Sequence, residues 1–352
     1  MLTAILKKIE NEKRLGFEDG VNLFKSKDLI LLGRIADNIR QKLHPEKIVT
    51  FIVDRNINYT NICISRCHFC AFYRELGSPE AYLLSEEELY KKIEETLELG
   101  GTQILMQGGL HPDLGINFYE DMLKGIKNRF KIHIHAFSPP EIIHIAGISH
   151  LAIKETLKRL KDAGLGSIPG GGAEILVEDL RKKISPVKCT AEEWLQVMKE
   201  AHKIGLKSSA TMMFGHIESY EDRVNHLLRI RKLQDETGGF IAFIPWTFQS
   251  ANTKLGGEPV SGFDYLKTLA ISRILLDNFR NIQASWVTQG PKVAQIALSF
   301  GANDLGSTMI EENVVRAAGA CYRMSREEME SLVKDCGFTP VQRDTFYNAI
   351  KS

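Results

Sequence analysis

The sequence predicts a parallel (βα)8 barrel, the TIM-like member of the α/β class, and three observations lead there. Short β-prone runs alternate with longer helical patterns about eight times. Capping-box signatures open several of the helices, and glycines close several of them just before the next strand. No low-complexity segment, internal repeat or Ser/Pro-rich linker divides the 352 residues, a length that suits one large barrel. A doubly wound open sheet shares the same alternation, because local pattern does not reveal closure.

The elements follow in order. Residues 1–45 read as a helical N-terminal extension, since MLTAILKKIENEKR alternates apolar and charged residues at helical spacing. The barrel is expected over residues 46–320. Its strands are Ile48–Val53, Thr102–Gln107, Ile132–Phe137, Leu165–Ile168, Lys207–Met213, Phe240–Trp246, Ile282–Trp286 and Asn303–Gly306. Ser85 with Glu88, Thr190 with Glu193 and Ser325 with Glu328 each pair a hydroxyl with a glutamate three residues on, so that each satisfies an orphan backbone N–H. Gly100-Gly101, Gly164, Gly205 and Gly238-Gly239 end helices. Pro291–Phe300 places Val293, Ile296, Ala297 and Phe300 on one stripe, as a helix covering a sheet requires. Residues 321–352 close the chain as a helix and tail.

Composition narrows the function classes. Apolar residues at 43% and charged residues at 25% are those of an ordinary soluble globular protein. Lys plus Arg (45) nearly cancels Asp plus Glu (44), so no net positive field argues for nucleic acid or an anionic membrane surface. No stretch approaches the roughly 20 apolar residues of a membrane span, and the N-terminus lacks the apolar core of a signal peptide. The expected location is the cytoplasm, where thiols stay reduced. Six cysteines there are poor evidence for disulfides.

Three of those cysteines crowd into one unusual loop. Between the first strand and the helix at Ser85 lie about 30 residues without periodicity, and loops that long inside compact domains are usually functional. It leaves the C-terminal face of the barrel, where active sites sit. It contains Cys63-Ile-Ser-Arg-Cys67-His-Phe-Cys70. Closely spaced thiolates wrap one corner of an iron–sulfur cubane, and three ligands leave one iron open for a small molecule. Zinc held by the cysteines and His68 competes, although His68 directly follows Cys67 and adjacent residues rarely reach one ion. Plain burial competes as well. Cys189, Cys321 and Cys336 read as packing residues.

With aromatic Phe69 before the third cysteine, this array resembles the signature of radical S-adenosylmethionine enzymes. The resemblance implies a site-differentiated [4Fe-4S] cluster on Cys63, Cys67 and Cys70. Its open iron would bind S-adenosylmethionine, and one electron would cleave the sulfonium to a 5′-deoxyadenosyl radical. Phe69 would pack on the adenine. Gln107-Gly108-Gly109 resembles the glycine motif that meets the methionine amino group, and Thr211–Glu218, with Thr211 and Met213, the segment lining adenine and ribose.

Longer runs sharpen the match. Cys67–Tyr73, Gln107–Pro112, His135–Glu141 (HAFSPPE, with Ser138), Pro169–Ile175 (PGGGAEI) and Gly301–Gly306 together look like the menaquinone futalosine-pathway and deazaflavin synthase group. Ser167–Leu176 and Phe243–Phe248 most resemble its cyclase branch, and sister enzymes tend to carry another residue where Gly171 stands. That likeness implies dehypoxanthine futalosine as substrate. Hydrogen would leave the 4′ carbon of its ribose, the sugar radical would add to the attached benzoate ring, and loss of an electron and a proton would restore aromaticity. An electron donor such as flavodoxin or ferredoxin is the implied partner. Aminofutalosine and deazaflavin synthases stay open as alternatives, as do an iron–sulfur carrier and a zinc-stabilised binding barrel.

Several polar residues are candidates for holding the substrate. In Ile132-His133-Ile134-His135, period two sends both histidines to one face, and the isoleucines suit the helix side. His135, nearer the reactive end, is the first candidate for binding a hydroxyl or carboxylate or for taking the proton lost, and Asp304 is the second. Glu141 and Glu174 follow the third and fourth strands and are candidates for gripping ribose hydroxyls or an amino group. Tyr59 and Arg55 lie near the first strand, with core packing and surface exposure as their alternatives.

Overall fold

Strands β1 (Ile48–Ile52) and β2 (Asp54–Ile57) are separated by Val53 alone, and the sheet closes on this run. The computed structural model describes residues 2–320 and 322–350. From β2 the parallel order runs through β3 (Gln103–Met106), β4 (His133–Ala136), β5 (Ser167–Ile168), β6 (Lys207–Phe214) and β7 (Phe240–Thr247). Parallel bridges Phe243–Ile282 and Gln283–Asp304 carry the ladder to β8 (Asp304–Ser307), which pairs with β1. The ring of eight staves is closed, so the chain forms the expected barrel and not an open sheet.

The seventh expected strand, Ile282–Trp286, is reduced to those bridges, because the Ser285 N–H is taken by the Tyr265 hydroxyl at 2.6 Å and a short helix starts at Trp286. β5 is only two residues long, since Pro169 ends it without an N–H to donate. The helix Pro291–Ala297 buries Ala294 and Ala297 and leaves Ile296 49% exposed, so the expected stripe is turned.

Local signals did set the helix ends. All three capping boxes form, at Ser85/Glu88, Thr190/Glu193 and Ser325/Glu328, each worth about 1 kcal/mol. Gly238 ends the helix Tyr220–Thr237 in the left-handed conformation at φ 57°. Among the described residues no helix is long and apolar enough to cross a membrane.

Both chain ends pack on the barrel. Helices Leu2–Glu10, Phe17–Lys25 and Leu29–Leu43 precede it. Gly33 lets the third of these press on Phe300, whose ring stands 2.7 Å from where a Cβ would be. At the other end the chain does more than form a helix and tail. After the helix Arg326–Asp335 comes a ninth strand, β9 (Thr339–Gln342), parallel to β1 from Ile48–Thr339 to Phe51–Gln342. Beyond it Arg343, Thr345 and Tyr347 enter the barrel lumen from the N-terminal end. Cys321 lies outside the described residues.

Candidate active site

The cysteine loop is pinned along its length despite having no regular structure. Thr60 Oγ1 donates to the Tyr82 carbonyl at 2.6 Å, Asn61 Nδ2 to that of Glu80 at 2.8 Å, and Cys63 N to that of Arg74 at 3.0 Å. Arg74 Nη1 gathers the carbonyls of Ala71, Phe72 and Tyr73. The backbone of His68 is held on both sides, its N–H by Ile184 and its carbonyl by Leu255. Cys63, Cys67 and Cys70 are all uncrosslinked thiols. Burial pushes the Cys70 thiol up to about 11 and raises that of Cys67, where Lys188 and a 3.2 Å contact with Ser65 Oγ pull the other way.

Among the described residues no group of three or more His, Cys, Asp or Glu side chains is gathered as for a single metal ion. A cubane takes one thiolate per iron and needs no such convergence. The donor set fits a cluster by its chemistry: three free thiols on one pinned loop, with the part-buried cation Lys188 near Cys67 to offset thiolate charge.

The glycine motif supports this loop from below. A Cβ on Gly109 would stand 2.1 Å from the Ile62 carbonyl oxygen, and one on Gly108 2.4 Å from the Tyr59 ring. The two glycines therefore let the cluster loop seat against the end of β3. Glu141 follows the third expected strand, as the sequence indicated, but its carboxylate is committed to the protein. It is buried, and its carboxylate accepts from Tyr59 Oη (2.8 Å), Gly108 N (2.9 Å), Ser138 N (2.8 Å) and Ser138 Oγ (2.6 Å). With four donors on two oxygens, no capacity is left for ribose. Glu141 and Ser138 form the capping box of the helix Pro139–Ile148 and tie it to the glycine motif.

Glu174 stands at φ 41° and is ion-paired to Lys188, whose ammonium lies 5.3 Å from the Phe69 ring centre. Lys188 was missed by sequence reasoning, since nothing local ties it to a loop 118 residues earlier at Cys70. Glu174 also accepts, through its carbonyl, the N–H of Met213 at 2.8 Å. Phe69, Glu174, Lys188 and Met213 thus meet beside Cys67.

Inside the staves is a cavity of about 280 Å³. Alternate residues of the strands line it, as the strand period demands, Asn56, His135, Thr211, Ile244 and Trp246 among them, together with Gln107 and with Trp286 and Val287 from the short helix after the seventh stave. Thr211 Oγ1 donates to the Gly170 carbonyl at 2.6 Å, and Gly170 N to Ser209 Oγ at 2.9 Å, so the Pro169–Gly171 turn is fixed against β6. His135 Nδ1 bonds Ser167 Oγ at 2.6 Å and Nε2 has no protein partner among the described residues. Burial, then the neighbouring His133 and Arg343, lower its pKa to about 3, so the imidazole is neutral.

Asp304 is not a free base. It is fully buried and receives Arg343 Nε at 2.6 Å and Nη2 at 2.9 Å, Thr50 Oγ1 at 2.5 Å and Gly306 N at 2.8 Å. The partner that commits it comes from the C-terminal segment. Arg55 faces the helices, with Glu95 at 2.8 Å, and so does not reach the lumen.

Comparison with known proteins agrees with this geometry. Residues 57–230 match the radical SAM superfamily and residues 237–352 the CofH/MqnC C-terminal region. Over 353 residues the chain is 48% identical to cyclic dehypoxanthine futalosine synthase of Halalkalibacterium halodurans, covering 100% of this chain and 95% of that one. It is also 48% identical over 323 residues to the 5-amino-6-(D-ribitylamino)uracil--L-tyrosine 4-hydroxyphenyl transferase of Archaeoglobus fulgidus, covering 90% and 93%. Among solved structures, the FeFe-hydrogenase maturase HydG of Carboxydothermus hydrogenoformans superposes with a TM-score of 0.78 at 17% identity, over 98% of this chain and 80% of that one. That likeness speaks to the fold alone.

Proposed function

The chain is a radical S-adenosylmethionine enzyme of the group that carries the CofH/MqnC C-terminal region, and from that premise we propose that it cyclises dehypoxanthine futalosine in menaquinone biosynthesis. One observation carries the reading: the lumen is lined both by polar side chains, Asn56, Gln107 and His135 among them, and by the aromatic rings of Trp246 and Trp286. A substrate that joins a ribose to a benzene ring matches both at once. Gly171 agrees, since a Cβ there would meet Gln107 Nε2 at 2.3 Å and push it from the polar lining.

With a cluster on Cys63, Cys67 and Cys70, S-adenosylmethionine would supply the carbon-radical chemistry able to take hydrogen from the ribose 4′ carbon. The protein's share is placement. Cys63, Cys67 and Cys70 would hold the cluster, Lys188 and Glu174 would set the charge beside it, and Thr211 with the Gly170 turn shapes the lining of the lumen. The apolar lining excludes water from a reactive intermediate. His135 acts as a neutral hydrogen-bonding imidazole, because burial makes it a weak base.

The transferase reaction of the Archaeoglobus relative is the rival, at equal identity. The two separate by turnover. After anaerobic reconstitution and reduction, dehypoxanthine futalosine should give 5′-deoxyadenosine and a product two hydrogens lighter by mass spectrometry. Deoxyadenosine without that product, or product only from tyrosine and 5-amino-6-(D-ribitylamino)uracil, rejects the cyclase. Cys67→Ala should abolish both deoxyadenosine and product.

A further inference from the structure

Resting on the cyclase reading, we propose that Asn56 and Glu312 form a grip for the hydroxyl groups of the substrate's ribose, a specificity site inside the lumen. Both residues line the cavity, Asn56 from β2 close to the reactive end and Glu312 from the loop that follows β8. That loop is fastened to the first stave, with Thr308 N on the Ile52 carbonyl at 3.0 Å and Ile310 N on that of Asp54 at 3.3 Å. Glu312 therefore has a fixed position relative to Asn56, and Asn56 Nδ2 donates to Glu312 Oε2 at 2.9 Å.

The pair is incomplete without a ligand. Glu312 Oε1 is satisfied by the N–H groups of Val314 (2.7 Å) and Val315 (2.9 Å), whereas Oε2 receives Asn56 alone and keeps lone-pair capacity. Asn56 is 5% exposed, and its Oδ1 is buried with no hydrogen-bond partner. A buried amide oxygen left unpaired costs about 1–3 kcal/mol, so such atoms are rare unless something else completes them.

Two neighbouring acceptors ask for donors. A vicinal diol offers two, and a hydroxyl satisfies either atom of the amide because it both donates and accepts. The benzoate carboxylate does not suit this position, since Glu312 would repel it. Burial raises the Glu312 carboxyl, which is consistent with a site that a neutral polar ligand fills.

The test uses the cluster-loaded protein with unreduced S-adenosylmethionine and reads ligand affinity by calorimetry. The ligands are dehypoxanthine futalosine and its analogues lacking the 2′ or the 3′ hydroxyl. Glu312→Ala should weaken the full substrate about 10- to 100-fold, the scale of hydrogen bonds to a charged group. It should leave at least one deoxy analogue nearly unchanged, because the group it served is already gone. An equal loss for every ligand, or no loss, would overturn the grip. If Glu312→Ala does not fold, Glu312→Gln carries the same comparison, with a loss confined to the hydroxylated ligand in support and a uniform loss against. Wild-type protein that binds no dehypoxanthine futalosine overturns the cyclase reading itself, which separates the two failures.

Discussion

Glu141, Asp304 and Glu312 show how differently one functional group behaves when its neighbours differ. Glu141 has four donors and Asp304 an arginine fork, so both serve the frame, while Glu312 keeps capacity facing the cavity. His135 belongs with them as a buried group whose state its surroundings set, and it yields a pH prediction. Its folded pKa is about 3 against 6.5 for the free side chain, so between these values the unfolded chain binds the extra proton. The stability His135 contributes is therefore complete above pH 6.5 and is lost as pH falls towards 3. At pH 5 the loss is about 2 kcal/mol. The raised carboxyls of Glu141, Asp54 and Glu312 act in the opposite sense, so the wild-type profile alone does not isolate the histidine. His135→Gln does. Between pH 7 and pH 5 its denaturant-measured stability should fall about 2 kcal/mol less than that of the wild type, and parallel profiles would contradict a neutral, buried imidazole.

The cluster loop is ordered by its attachments, and the end of β3 is the firmest of them. Gly109 N donates to the Thr60 carbonyl at 3.0 Å, and Ile64 N to that of Leu110 at 3.0 Å. Gly109→Ala would drive a methyl group into the Ile62 carbonyl and the Cys63 Cβ, backbone and loop root that have nowhere to yield. Overpacking of this kind costs about 1–3 kcal/mol, and here the strain falls on the loop that presents the thiols. The variant should keep its far-ultraviolet dichroism yet hold much less iron per chain after reconstitution; full iron loading would show that the glycine is no seat for the loop. Most of the strands, the helix caps and the loop were legible from sequence because period, hydroxyl–glutamate spacing and cysteine spacing are local, whereas β9 was not. What Glu141 and Asp304 do was not, because their partners lie 82 residues away at Tyr59 and 39 residues away at Arg343. Lys188 and Glu312 escaped for the same reason: no motif of their own marks them, and only the closed barrel brings them to Cys67 and Asn56.

The C-terminal segment braces the closed ring. β1 has β8 on one side and β9 on the other, and β9 delivers Arg343 to Asp304 at the narrow end of the lumen. Around that pair Thr345 Oγ1 donates to Gln103 Oε1 at 2.6 Å, Gln103 Nε2 to Asp54 Oδ2 at 2.5 Å, and Ser307 Oγ to Asp54 Oδ1. The Arg343 guanidinium lies 3.9 Å from the Tyr347 ring centre. Two adjacent sets of hydrogen bonds thus stitch β1, β2, β3, β8 and the C-terminal segment together. Its weight can be measured by removing the partners in turn. Arg343→Met leaves the fully buried Asp304 charge uncompensated, and breaking a buried pair on one side costs about 3–5 kcal/mol. Asp304→Asn in that background removes the stranded charge; its amide oxygen can still accept from Gly306 N, and its amide N–H can donate to the Thr50 hydroxyl, which accepts as well as donates. The double variant should therefore recover a large part of the loss, so that the two changes are strongly non-additive in chemical denaturation. A loss below about 1 kcal/mol for Arg343→Met, or simple additivity, would mean that the barrel closes without its last strand.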